Sequence, residues 1–84
     1  MGAFILSPLE ERVLRVLRDS RRMFLTIYQL AVEVDDFDAA ELMSACKALR
    51  RRKLVTGDHE HGWGLTGIGD AFLAQLDNDR ARAR

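Results

Sequence analysis

Residues 38–66 read DAAELMSACKALRRRKLVTGDHEHGWGLT, and this stretch decides the fold. It opens with Asp38 three positions ahead of Glu41. In that pairing the first carboxylate accepts from an orphan amide of a first helical turn, and the second reaches back to the cap. Asp38 stands where Ser or Thr is usual and adds a favourable charge at a helix N-terminus. Leu42, Ala45, Cys46 and Leu49 then recur at helical spacing, which predicts a helix from about Ala39 to Lys53. After it the period changes. Leu54-Val55-Thr56 reads as a strand, Gly57 to Gly62 as a flexible tip, and Trp63-Gly64-Leu65 as the returning strand. Trp63 and Leu65 face the same side of that ribbon. Thr66 precedes a last helical pattern that presents Ile68, Phe72 and Leu76 together.

Two more helix starts lie upstream, Ser7-Pro8-Leu9-Glu10 and Thr26-Ile27-Tyr28-Gln29, and Pro8 strengthens the first because a first helical residue has no use for its N–H. The first helix is expected from Pro8 to about Ser20, with Leu9, Val13, Val16 and Leu17 inward and Arg15 and Arg18 outward. The second buries Ile27, Leu30, Ala31 and Val34. Met23-Phe24-Leu25 is apolar enough to pair as a short strand, and Asp35-Asp36-Phe37 breaks the second helix, with Phe37 plugging the core. The expected fold is α+β and mostly helical: a three-helix bundle, a two-stranded wing hairpin and a C-terminal helix, together a winged helix-turn-helix. One domain spans residues 1–84, with an apolar segment at 1–7, a core at 8–76 and a polar tail at 77–84, the tail expected as a frayed helix end or disordered.

Thirteen basic and thirteen acidic residues cancel, so the chain lacks the overall positive charge that advertises nucleic acid. The distribution is uneven: Lys47, Arg50, Arg51, Arg52 and Lys53 cluster just after Asp35, Asp36, Asp38 and Glu41. No apolar run has membrane-spanning length, and Cys46 has no partner for an internal disulfide, which together make a cytoplasmic address the expectation.

Leu49-Arg50-Arg51-Arg52-Lys53-Leu54-Val55 is similar to the end of the recognition helix in bacterial MarR- and PadR-type transcriptional regulators. Trp63-Gly64-Leu65-Thr66-Gly67-Ile68-Gly69 resembles the aromatic-x-Leu-Thr-x-x-Gly that closes their wing and opens the next helix. The likeness runs from about Leu9 to Leu76, and Lys53 departs from it, standing where many such regulators carry Gly. The resemblance implies a winged helix that binds DNA, usually as a dimer, with phosphate contacts from Tyr28 and Gln29 in the first turn of helix two.

The residues allow the same reading. With Leu42 inward and about 100° per residue, the opposite side of helix 39–53 holds Ala40, Met43, Ser44, Lys47 and Arg51, none of them acidic. Ser44 and Lys47 are then placed to meet base edges in a major groove, with Arg51 and Arg50 on phosphates. The alternative is a solvated helix face. Against DNA stands the tip Asp58-His59-Glu60-His61, whose acids phosphates would repel. That tip, or Asp35-Asp36, suits instead a non-catalytic winged-helix adaptor that binds another protein. His59 and His61, two apart on an extended segment, are weak candidates for a metal ion, with no further ligand motif to complete a site. No nucleophile comes with a matching base, no glycine pattern cradles phosphate, and no cofactor is implied, so no enzyme is expected. Phe4, Ile5, Leu6, Leu14 and Leu73 remain after the core is assigned, and they suggest either a homodimer interface or a wider core.

Overall fold

The computed structural model describes residues 6–34 and 37–82, so Phe4, Ile5, Asp35 and Asp36 lie outside the described residues. Among these, four helices and a hairpin follow in the order α1 (Pro8–Asp19), α2 (Ile27–Glu33), α3 (Ala39–Arg51), β1 (Val55–Asp58), β2 (Gly62–Leu65) and α4 (Gly67–Arg82). The architecture is α+β, mostly helical, and compatible with a winged-helix layout.

Each helix start is closed by the residues whose spacing predicted it. Ser7 Oγ accepts from Glu10 N at 3.1 Å while Glu10 Oε1 accepts from Ser7 N at 2.9 Å. Thr26 and Gln29 exchange the same two bonds at 3.1 and 2.8 Å, and Asp38 and Glu41 at 2.8 and 3.3 Å. Thr66 Oγ1 accepts from Gly69 N at 2.9 Å and so caps α4. Four local sequence signals therefore set where the chain turns into helix.

α1 touches every other helix and β2. Its buried residues are Val13, Leu14 and Leu17, which centres the inward stripe closer to Leu14 than the spacing predicts and leaves Leu9 and Val16 half-buried. Leu14 and Leu73 are both 0 % exposed in the chain's own core. Neither has surface to give a second copy, which corrects their assignment to a dimer interface. The reason is that α4 closes over α1, so α1 needs an apolar stripe wider than a single packing face. Leu6 is half-buried against the same core. Phe37, at 38 % exposure, does not plug the bundle, and Ile68, at 59 %, faces away from it.

The hairpin is antiparallel, with Val55 opposite Leu65 and Asp58 opposite Gly62. Met23-Phe24-Leu25 contributes one bridge to it: Leu25 N donates to Trp63 O at 2.9 Å and Trp63 N to Leu25 O at 2.7 Å. Trp63 is buried and Leu65 half-buried, both packed with the core. At the far end of α3, Lys53 N donates to Arg50 O at 2.9 Å and Leu54 N to Leu49 O at 3.0 Å. This is the Schellman pattern, and it requires a left-handed residue after the helix. Lys53 takes that conformation at φ 66°, which costs a side-chain-bearing residue about 1–2 kcal/mol. Thr66 holds the turn from the other side, its hydroxyl donating to Lys53 O at 2.7 Å. A Cβ at Gly69 would collide with the carbonyl of Leu54, so α4 approaches this turn as closely as its backbone allows.

α4 extends well beyond residue 76, and ion pairs explain why. Arg15, expected outward, reaches Asp77 at 2.7 Å and Glu11 at 2.9 Å. Arg18 also meets Asp77, at 3.2 Å, and Arg80 meets Glu11 at 2.7 Å. Arg15 and Arg18 hold the Asp77 carboxyl down to about 2, and Arg80 and Arg15 lower that of Glu11.

Two outcomes follow for stability. Leu14→Ala and Leu73→Ala should each destabilise the fold by about 2–5 kcal/mol in chemical denaturation, with no change in oligomeric state by light scattering. Because the folded state holds the Asp77 carboxyl below its ordinary value, its contribution is present above the ordinary carboxylate range. It is lost as pH falls from about 4 toward about 2. Asp77→Asn should therefore flatten the melting temperature against pH in that window, while changing it most near neutrality.

Candidate nucleic-acid interface

α3 carries the expected interface, and its orientation follows from its buried set, Leu42, Ala45, Cys46 and Leu49. The row opposite them is Ala40, Ser44, Lys47 and Arg51, all exposed. Neither Lys47 nor Arg51 forms an ion pair among the described residues. Met43 departs from the expectation: it is half-buried and packs on the core. At about 100° from Leu42 it lies on a flank, where a flexible thioether can turn inward.

Arg50 shares that flank and is used internally. Its Nη1 donates to Gly57 O at 2.9 Å, and its guanidinium carbon stands 5.1 Å from the centroid of the Trp63 ring. The electron-rich face of a buried indole attracts a cation held above it. The expected phosphate ligand is thus a brace between α3 and the hairpin. On the other flank Arg52 Nη1 lies 4.0 Å from Glu10 Oε1. A shallow recess of about 310 Å³ there brings Ser44 beside Glu10 and Glu41, so carboxylates border the row on this side without entering it.

The α2 contributions differ from one another. Tyr28 is 71 % exposed at the start of the helix. Gln29 is half-buried, and its side-chain oxygen is held by the Thr26 amide, which limits it as a phosphate ligand.

The hairpin tip folds one of its acids back on itself. Asp58 accepts the backbone N–H of His61 at 2.7 Å and meets His61 Nδ1 at 2.9 Å. Those bonds hold the Asp58 carboxyl below its ordinary value, so it stays ionised. Residues 59–61 form the turn itself rather than an extended strand, so the shared direction expected for His59 and His61 is absent. Among the described residues no group of three or more His, Cys, Asp or Glu side chains could hold a metal ion. Cys46 is buried, and burial pushes its thiol up to about 12, which makes it inert at neutral pH.

A groove of about 670 Å³ that the sequence reading missed lies between α1 and α2, where Arg12, Arg21 and Arg22 border Val16, Leu25 and Val32. The signal that was available is Val32 itself, four positions from Tyr28 on a helix too short to bury both. No helix among the described residues is long and apolar enough to cross a membrane. No protein family, curated protein or solved structure matches the chain.

The division between braced and outward cations is measurable in the isolated protein. Arg50→Ala should cost about 1 kcal/mol of stability through the lost ring contact and carbonyl bond. Lys47→Ala and Arg51→Ala should each stay within about 0.5 kcal/mol of wild type in the same denaturation experiment.

Proposed function

We propose that this chain is a winged helix-turn-helix protein that binds double-stranded DNA by laying α3 in the major groove, as a non-catalytic transcriptional regulator. One observation carries the reading: Lys47 and Arg51 project from α3 in line with Ala40 and Ser44, while the neighbouring Arg50 is engaged by the hairpin. Small residues at the N-terminal end let a helix approach base edges closely, and cations farther along meet phosphates. Tyr28 adds an exposed hydroxyl at the start of α2, within the part of the fold that faces the same backbone in such proteins. Ser44 and Lys47 take the base-edge roles and Arg51 the phosphate role. The proposal concerns a single copy, because Leu14 and Leu73 are interior and Leu6 is packed on the core.

A second reading, the protein-binding adaptor, is favoured by the groove between α1 and α2 and by Val32, 74 % exposed at its edge. Of the acids that suit this reading, Asp58 is folded back on His61 and Glu60 is exposed at the tip.

Salt separates the two. Retention of a randomised duplex pool should fall with a log–log slope of about −1 to −2, as expected for one or two cations on phosphates. The double variant Lys47→Ala with Arg51→Ala should weaken retention and lose about one from the magnitude of that slope, because Arg51 is the one of the two on a phosphate. No retention of any duplex at low salt would end the DNA reading and leave the adaptor.

A further inference from the structure

We infer that Lys53 is a DNA-phosphate ligand, placed by the left-handed turn that ends α3. The inference rests on the duplex-binding reading above and adds a contact which that reading did not include.

Lys53 is the one non-glycine residue with positive φ among the described residues. Three bonds force that conformation: Lys53 N to Arg50 O, Leu54 N to Leu49 O, and the Thr66 hydroxyl to Lys53 O. Glycine would satisfy all three without strain, because none of them involves the Lys53 side chain. The ammonium is exposed and makes no hydrogen bond or ion pair among the described residues. A strained backbone that persists with an unengaged cation on it is the pattern of a residue kept for contact with something else. A cation near a helix C-terminus also offsets the helix dipole, but glycine at this position relieves strain of at least equal size.

The geometry of a groove then says what that contact is. α3 has 13 residues and is therefore about 20 Å long, against a major groove about 12 Å wide. A helix that reads bases with its N-terminal half must bring its C-terminal end to a phosphate strand. Arg51 and Lys53 occupy that end, one at the last helical position and one just past it.

Lys53→Gly separates binding from folding, because the two readouts move in opposite directions. The variant should melt about 2–4 °C above wild type, since strain is released. It should bind the randomised duplex pool several-fold more weakly at about 50 mM salt, with a log–log salt slope smaller in magnitude by about 0.9. Lys53→Arg keeps the cation and the strain, so it should retain wild-type affinity and slope. If Lys53→Gly binds with unchanged affinity and slope while wild type binds normally, this inference fails and the duplex-binding reading stands. A lower melting temperature for Lys53→Gly would remove the strain premise. If wild type retains no duplex, both fall together.

Discussion

The turn between α3 and β1 is the constraint on which the rest of the molecule hangs. Leu49 and Leu54 are buried on either side of it, and the bond from Leu54 N to Leu49 O fixes the angle at which the chain leaves the helix. The carbonyls of this turn then organise the C-terminal half. Leu54 O accepts from Thr66 N at 3.2 Å, Thr66 also donates its hydroxyl to Lys53 O, and Gly69 packs against Leu54 so closely that no side chain fits. One turn therefore ends the third helix, sets the base of the hairpin and seats the start of α4. Because Thr66 at once closes the hairpin and caps the helix, neither element can shift without the other.

That arrangement explains which parts of the fold the residues announce and which they do not. The three capping boxes and the Thr66 cap are complete within four residues each, so spacing alone discloses them, and every one forms. The hairpin is announced just as locally, but its strands run on through Gly57 to Asp58 and start at Gly62, leaving a tip of three residues where the glycines suggest six. The left-handed Lys53 runs against propensity: a lysine in place of the usual glycine hides the turn from a reader of composition. Of the two environments open to Leu14 and Leu73, the wider core is the one observed; a helical wheel assumes one packing face and cannot choose between them, whereas α1 is covered on more than one. The bond between Arg15 and Asp77 joins residues 62 apart, and no local pattern encodes such a pairing. For the interface, periodicity placed Ala40, Ser44, Lys47 and Arg51 correctly on the outer row. It missed that Met43 turns inward and that Arg50 is drawn to Trp63, because both depend on what α3 packs against.

The balance of thirteen basic and thirteen acidic residues conceals a division of labour. Glu11 and Asp77 pair with Arg15, Arg18 and Arg80 at separations of about 3 Å across α1 and α4. Charges matched that closely present mainly a dipole to anything a Debye length away, about 8–10 Å at ordinary ionic strength. Asp58 is hydrogen-bonded to His61 and keeps its charge at the hairpin tip, away from the outer row of α3. What remains for a polyanion at α3 is the local set of Lys47, Arg51 and Lys53, bordered by Glu10 and Glu41. A neutral total is thus compatible with a locally positive face, and composition is a poor guide to it.

The same arithmetic limits how such a face can work. Two cations at a phosphate backbone, Arg51 and Lys53, imply a salt slope of about −1.8, so a fourfold rise in salt lowers affinity about 12-fold. Electrostatics on that scale holds a duplex loosely and carries no sequence information. Discrimination on this reading falls to the outer row of α3, where Ala40 and Ser44 keep side-chain bulk low and allow the helix backbone near the bases. Ser44 offers one hydroxyl and Lys47 one ammonium, and neither makes the two-pronged contact that distinguishes a base strongly. Arg51 ends the same row with a planar fork that suits a phosphate, and the turn at Lys53 keeps a second cation beside it. Sequence preference and grip on the backbone are therefore coupled through the end of one helix, and a change there alters both at once.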